Sequence, residues 1–287
     1  MNRYIRELNR RHHIHSALLG AASAPLLFGG VSIDAMATAP CGDFGECKAI
    51  IEINSSDGDI GFHFLMDGDD LNSARIHDPN GAKVFEDEAK GPLREQKLTE
   101  TFAESAEPPC WLDPSDPEAD PDEVVTLEDF LDRWDEGTYV YTGSGDGGEK
   151  SEGETELTYE LPAAPMALAY NAGVISWQPG NDLGNCATSA ELTELVNAGP
   201  LTVHPMNVAV EIWEVVFEPD DGSGLKLTIR LPGSVAPTSV TVPADYLASL
   251  PNDTPAKIEV GAIEDDDNAT FTELGDICVN DTGVPGC

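Results

Sequence analysis

YLASLPNDTPAKIEVGAI, residues 246–263, is the stretch that decides the fold class of this chain. Ile258, Val260 and Ala262 occupy every second position, which is the period of a β-strand that buries one face. A tight turn over residues 251–254 precedes this run, because proline and asparagine favour turn geometry there. The stretch therefore predicts a half-buried strand that begins at a tight corner.

Similar short apolar runs lie before this strand in the second half of the chain. They are separated by turn residues and cover residues 174–177, 208–217, 225–231 and 238–242. Several short strands at such spacing are typical of a β-sandwich. The segment PAAP precedes them and has the composition of a hinge, so residues 162–287 are predicted to form a domain.

VISWQPG, residues 174–180, resembles the second strand of a fibronectin type III domain with its core tryptophan, here Trp177. Residues 246–270 resemble the E to F corner of that family, with Leu250 before the tight turn. The resemblance covers residues 162–280 and implies a β-sandwich for this half of the chain.

Two features of the second half depart from the fibronectin type III pattern. Ala256 stands at the corner where the family usually has a tyrosine whose hydroxyl bonds to the backbone. The connection over residues 181–205 is unusually long, and Thr188 and Glu191 have capping-box spacing, with Gly199 as a stop signal. We expect an inserted helix there, either a local cap held by a disulfide or an additional contact surface.

The first half of the chain also predicts strands. Apolar side chains alternate along one run, namely Ile60, Phe62, Phe64 and Met66. The turn DPNG, residues 78–81, lets proline preset the backbone and glycine accept the unusual geometry. It therefore predicts a hairpin between strands at residues 74–77 and 83–85.

Two further strand-like runs, residues 138–142 and 154–161, flank a glycine-rich tip. Before them, Thr126 predicts the start of a helix that ends at Gly137. Together with DPNG, the sequence EGTYVYTG, residues 136–143, resembles motifs of small jelly-roll domains appended to secreted bacterial peptidases. That resemblance supports a β-sandwich in the first half as well.

The two halves together predict a mainly β protein. We expect two β-sandwich domains in tandem, over residues 38–161 and 162–287, with short helices in insertions. The chain after residue 37 is long enough for two domains of ordinary size, each with its own core.

The N-terminal segment has the features of a secretory signal. Four arginines stand against Glu7, and residues 16–33 are mostly apolar. Small residues occupy the positions that a signal peptidase reads, so cleavage after Ala37 is expected. A permanent membrane anchor is the alternative, but it needs about 20 apolar residues, and a proline and two glycines interrupt this run. We expect a signal peptide over residues 1–37 and a secreted, extracellular or periplasmic protein without membrane insertion after cleavage.

The chain is strongly acidic, with 53 Asp and Glu against 15 Lys and Arg and a net charge of −38. Residues 1–37 contain four of the basic and two of the acidic residues, so 11 against 51 remain after cleavage, a net charge of −40. Such a field repels nucleic acid and anionic lipid, which excludes both as partners. The excess also fits a hydrated surface adapted to salty or calcium-rich surroundings.

All six cysteines follow the predicted signal, and an even number in an oxidising compartment predicts disulfides. Spacing favours one set of pairs: Cys41 with Cys47, Cys278 with Cys287, and Cys110 with Cys186. The first two would staple the chain ends, and the third would join the halves. A metal site at cysteine is not favoured, because the sequence has no C-x-x-C motif.

Acidic residues cluster at several predicted turns, where their oxygens suit calcium. The strongest candidate ligands lie in one loop: Asp113, Asp116, Glu118, Asp120 and Asp122. This loop does not match the EF-hand pattern, since Pro121 stands where the sharp turn needs glycine. Calcium is therefore the expected ion if the loop binds one, and chance clustering in so acidic a chain is the alternative.

Two tryptophans are candidate binding residues. Trp213 lies in a strand with Glu211 and Glu214 close by, so it could form an exposed platform for sugar or peptide, and Trp111 adjoins the acidic loop. The favoured alternative is a core position, because large aromatic side chains are usually buried.

The sequence contains no recognisable catalytic motif. After the signal the histidines are His63, His77 and His204, and none adjoins a nucleophile pattern. A glycosidase needs only two carboxylates, so a secreted carbohydrate-active or other hydrolase is the alternative function. The leading hypothesis is a secreted or cell-surface binding, adhesion or structural protein that is not an enzyme, with an extracellular protein or glycan as its partner.

Overall fold

The computed structural model describes residues 41–283. The predicted signal peptide with its cleavage site, and Cys287, lie outside the described residues. Within the described residues, the first half contains β1 (Glu46–Asn54), β2 (Asp59–Leu71), β3 (Ser73–His77), β4 (Lys83–Glu88), β5 (Leu98–Glu104), β6 (Gly137–Ser144) and β7 (Lys150–Leu157). The second half contains β8 (Met166–Asn171), β9 (Val174–Gln178), β10 (Ile212–Pro219), β11 (Leu227–Pro232), β12 (Ser239–Thr241), β13 (Thr254–Ile263) and β14 (Ala269–Val279). Short helices connect them: α1 (Gly91–Gln96), α2 (Leu127–Leu131), α3 (Ser189–Ala198) and α4 (Ala244–Ser249).

The predicted mainly β fold with short helices is confirmed. In the first half, strands β1, β2 and β5 form one layer and the sheet β4-β3-β6-β7 forms the other. The alternation predicted along β2 holds, because Ile60, Phe62, Phe64 and Met66 are all buried. They contribute to a core that also contains Tyr139 and Tyr141 of β6. The first half is therefore a β-sandwich.

In the second half, the sheet β12-β9-β8 packs against strands β11, β10, β13 and β14. Trp177 of β9 and Trp213 of β10 meet edge to face in the core, with ring centroids 5.7 Å apart. Ile258, Val260 and Ala262 of β13 are buried, as their alternation predicted. This second sandwich agrees with the fold that the fibronectin type III resemblance implies.

The two sandwiches share one sheet, which a tandem of separate domains would not do. β1 pairs with β14 in parallel, so the strands run β11-β10-β13-β14-β1-β2-β5 in one seven-stranded sheet. Asn268, which is fully buried beside this junction, accepts a hydrogen bond from Ile51 N at 2.8 Å and donates one to Thr158 O at 3.0 Å. The structure therefore has two sandwich cores, and backbone pairing between β1 and β14 fuses them.

The inserted helix α3 begins and ends where the sequence predicts. Thr188 and Glu191 form a reciprocal capping box, and Gly199 ends the helix in the left-handed conformation. Its buried Leu192 belongs to the core of the first sandwich, although the helix lies in the second half of the sequence. The helix therefore follows the expected domain boundary at residue 162 in sequence but packs against the sandwich that precedes this boundary.

Two elements of the first half are displaced from their predicted bounds. Thr126 caps α2, but the helix ends at Leu131 and not near Gly137, because Trp134 leaves the helix and stacks on Phe62 at 4.0 Å. Strand β7 ends at Leu157 and does not continue to residue 161. The chain then turns, and the Tyr159 hydroxyl donates to the carbonyl oxygens of Leu131 and Trp134.

Disulfides join Cys41 to Cys47 and Cys110 to Cys186, which are two of the pairs that spacing favoured. The second bridge links the loop after β5 to the connection before α3, with Cα atoms 5.0 Å apart. Cys278 is also disulfide-bonded. Across residues 41–283, no helix has the length and apolar character that a membrane span requires.

Candidate functional site on the shared sheet

The outer face of the seven-stranded sheet is strongly acidic. It faces away from both cores, because core residues alternate with outward ones along β1, β10 and β13. A cavity of about 450 Å³ lies on this face. Five glutamates from both halves line it, namely Glu52, Glu104, Glu107, Glu214 and Glu259. We call this surface the acidic face.

His63 lies among three of these glutamates. It belongs to β2 and is directly opposite Glu104 on the neighbouring strand β5. Its Nδ1 is 3.9 Å from a Glu52 carboxylate oxygen, and its Nε2 is 3.6 Å from Glu107 and 4.0 Å from Glu104. The residue is only 7% exposed, and within residues 41–283 its Nε2 has no hydrogen-bond partner. We call His63, Glu52, Glu104 and Glu107 the His63 cluster.

Gly61 lets the side chains of the His63 cluster pack closely against the backbone of β2. It pairs with Glu52 across the β1–β2 ladder and lies two residues before His63 on the same face of β2. A Cβ at this position would lie 2.9 Å from Glu107 Cγ and 3.2 Å from His63 Nε2. Any larger residue at position 61 would therefore displace Glu107 and the His63 ring.

Burial and mutual repulsion shift the ionisation of the His63 cluster. Burial, followed by the charge of Glu107 and Glu104, raises the pKa of Glu52 to about 7. Burial is also the largest cause of the raised pKa of Glu107. Burial lowers the pKa of His63, although the Glu104 charge acts in the opposite direction. The cluster thus gathers three carboxyl groups around an imidazole whose pKa burial lowers.

Trp213 is not an exposed platform. It is 2% exposed in the second core, and its indole nitrogen donates to Gly233 O at 3.1 Å. Of the two acids that suggested exposure, Glu214 lies on the opposite face of β10, because side chains alternate along a strand, and Glu211 lies just before the strand begins. Trp111 is half-buried against the first core, with its indole nitrogen 3.4 Å from Asp57 O. The structure therefore corrects the prediction for Trp213, and Trp111 as a binding residue stays a prediction.

The predicted calcium loop does not converge on a common point. Asp113, Asp116 and Asp120 each accept a backbone N–H two residues ahead, so their carboxylates cap local turns. Glu118 and Asp122 are exposed. Among residues 41–283, the acidic groups close enough together to hold an ion do not include this loop. Calcium binding there stays a prediction.

The His63 cluster was not recognised from the sequence. The alternation along β2 places His63 on the other face of the strand from Phe62 and Phe64. Nothing in this pattern distinguishes His63 from an ordinary strand residue. The missing information was the register, because Glu52 and Glu107 come from separate segments that only the folded sheet brings together. An isolated histidine on the polar side of an aromatic strand was the one available signal. His77 and His204 lie outside the cluster.

No known protein-family model matches the chain, and neither does any curated protein sequence. Among solved structures, the FN1–FN3 domains of chicken CNTN1 align over 84% of this chain and 66% of that chain, with 10% identity and a TM-score of 0.28. The BSP domain of a biofilm-associated protein aligns over 85% of this chain and 30% of that chain, with 12% identity and a TM-score of 0.23. This chain spans less than two thirds of either structure.

Proposed function

We propose that the protein is an extracellular binding or adhesion protein and that the acidic face is its contact surface. One observation carries the proposal: glutamates from both sandwiches line a single cavity on the fused sheet. The disulfides fit an oxidising compartment outside the cytoplasm. A surface built jointly by two fused sandwiches is held rigidly, which lowers the entropic cost of binding.

The chemistry of the acidic face favours a basic protein surface as the partner. The cavity is lined by five glutamates and a single lysine, Lys226. Phe102 lies on the same face of β5 as Glu104, and it is 56% exposed. An exposed aromatic side chain beside charged groups is a common anchor of protein interfaces. Electrostatic attraction would speed association, and this effect would weaken with salt.

Surface plasmon resonance against extracellular proteins of different charge, with a glycan array in parallel, tests this proposal. We expect saturable, salt-sensitive binding to basic proteins. The double variant Glu214→Lys/Glu259→Lys should weaken it about tenfold or more, and so should Phe102→Ala. The matched controls Glu154→Lys/Glu156→Lys and Val140→Ala change the other sheet of the first sandwich and should bind normally. Equal binding by both sets, or saturable binding only to neutral glycans, would contradict the proposal.

A hydrolase remains the second candidate, and one observation favours it. Glu52 has a pKa raised to about 7, and its carboxylate lies within 4.8 Å of ligand atoms of His63 and Glu107. A carboxylic acid with a raised pKa facing a second carboxyl group is the kind of pair that glycosidases use. Release of reducing sugar from a polysaccharide panel tests it: Glu52→Gln should abolish turnover, and Glu100→Gln should not. Absence of turnover by the unmodified protein would remove this candidate.

A further inference from the structure

The carboxylates of the His63 cluster have no lysine or arginine partner among the described residues. Elsewhere on the acidic face, Arg230 contacts Glu214 at 2.5 Å and Lys257 contacts Glu259 at 3.0 Å. For Glu52, Glu104 and Glu107, His63 is the only basic group within 4.0 Å among the described residues. The three carboxylates therefore converge on one buried imidazole without a lysine or arginine between them.

The buried Nε2 of His63 indicates that the site lacks a partner for this nitrogen. Buried polar atoms almost always have a hydrogen-bond partner, and an exception calls for an explanation such as an ion. Nε2 is such an exception, and it faces Glu107 and Glu104. A neutral imidazole nitrogen surrounded by carboxylate oxygens is a ligand set for a divalent metal.

We propose that the His63 cluster binds a divalent first-row transition metal, with zinc as the best-fitting ion. His63 Nε2, Glu107 and Glu104 supply the ligand atoms, because Nε2 lies 3.6 Å from Glu107 and 4.0 Å from Glu104. The Glu52 carboxylate lies within 4.8 Å of ligand atoms of His63 and Glu107. Zinc binds imidazole nitrogen and carboxylate oxygen at about 2.0–2.2 Å, so small side-chain rotations bring these atoms to bonding distance.

Two further features fit this site. Because Gly61 has no side chain, Glu107 and Nε2 of His63 can both pack closely against the backbone of β2. Glu52 faces the other ring nitrogen, Nδ1, at 3.9 Å, and a carboxylate in that position commonly orients a metal-binding histidine. The imidazole ligand also favours zinc over calcium or magnesium, which prefer oxygen alone. The site goes beyond the proposed function, although Glu52, Glu104 and Glu107 also line the cavity of the acidic face.

Isothermal titration of the chelator-treated full chain with Zn²⁺, together with thermal melts, tests this proposal. We expect one high-affinity Zn²⁺ per chain and a higher melting temperature when it is bound. Glu107→Gln removes a ligand, and Gly61→Ala forces Glu107 and His63 to shift while keeping every ligand. Each should weaken Zn²⁺ binding about tenfold or more. Glu100→Gln, on the same strand as Glu104 but outside the cluster, is the control of equal charge change.

His63→Gln should weaken Zn²⁺ binding most, and Gly61→Ala keeps the test valid if that variant folds poorly. Unchanged Zn²⁺ affinity in both Glu107→Gln and Gly61→Ala would overturn the proposal, because the ion would then bind elsewhere on the acidic surface. Calcium that binds as tightly as zinc, with no loss in His63→Gln, would also overturn it. Binding of basic proteins is measured separately in chelator, so failure of one proposal is distinguishable from failure of the other.

Discussion

At the scale of single residues, Asn268 shows how one side chain fuses the two sandwiches. Its amide accepts from Ile51 N on β1 and donates to Thr158 O after β7, while its own backbone N–H donates to Glu264 at 2.9 Å. The sequence around it, EDDDNAT, predicts a turn, but no local pattern reveals partners 110 and 217 residues away.

Asn268→Ala should lower the free energy of unfolding by about 1–3 kcal/mol, because it leaves the buried N–H of Ile51 without an acceptor. Chemical denaturation followed by fluorescence measures the change. Asn80→Ala removes an exposed amide that contacts Asp135 and should cost less than about 0.5 kcal/mol. Equal losses in the two variants would show that the Asn268 contacts do not stabilise the junction.

Glu264 should make stability depend on pH. Burial raises its pKa to about 7, above the value of the unfolded chain, so the folded state holds the proton more tightly. Its contribution is therefore complete below about pH 4.5 and is lost as the pH rises through about 7. Unfolding free energy measured between pH 5 and 8 should fall less steeply in Glu264→Gln than in the unmodified protein. Glu100→Gln should retain the full slope, and identical slopes in all three proteins would contradict this assignment.

At the scale of elements, local signals predicted what local chemistry determines. The DPNG turn correctly predicted the β3–β4 hairpin, and Thr188 and Gly199 correctly predicted the two ends of α3. The sequence did not predict that α3 packs on the first core, because capping residues say nothing about the partner of a helix. It also did not predict the β1–β14 pairing or the His63 cluster, which depend on register between distant strands.

The Cys110–Cys186 bridge should stabilise this long-range packing. It closes a loop with a sequence separation of 76 residues, so restriction of the unfolded chain predicts a contribution of about 4 kcal/mol. The double variant Cys110→Ser/Cys186→Ser should lose roughly that amount in chemical denaturation. A double serine variant of Cys41 and Cys47, which are six residues apart, should lose clearly less. The reverse order would contradict the loop-closure argument.

At the scale of the whole molecule, two sandwich cores are joined by one sheet, and that sheet displays the acidic face. Composition predicted an acidic surface, and periodicity predicted two β-rich halves. Neither could show that the halves share a sheet, since the parallel pairing involves only Glu52–Asn54 and Ala269–Phe271. The site exists as a joint surface only because of this fusion.

Equilibrium unfolding followed by two probes tests this fusion most directly. Fluorescence of Trp111 and Trp134 reports on the first core, and fluorescence of Trp177 and Trp213 reports on the second, in variants that keep only one set. A fused sheet predicts coincident transitions for both sets, with Asn268→Ala shifting both equally. Two separate transitions, with Asn268→Ala shifting only one of them, would show that the halves fold as independent domains and would contradict the account.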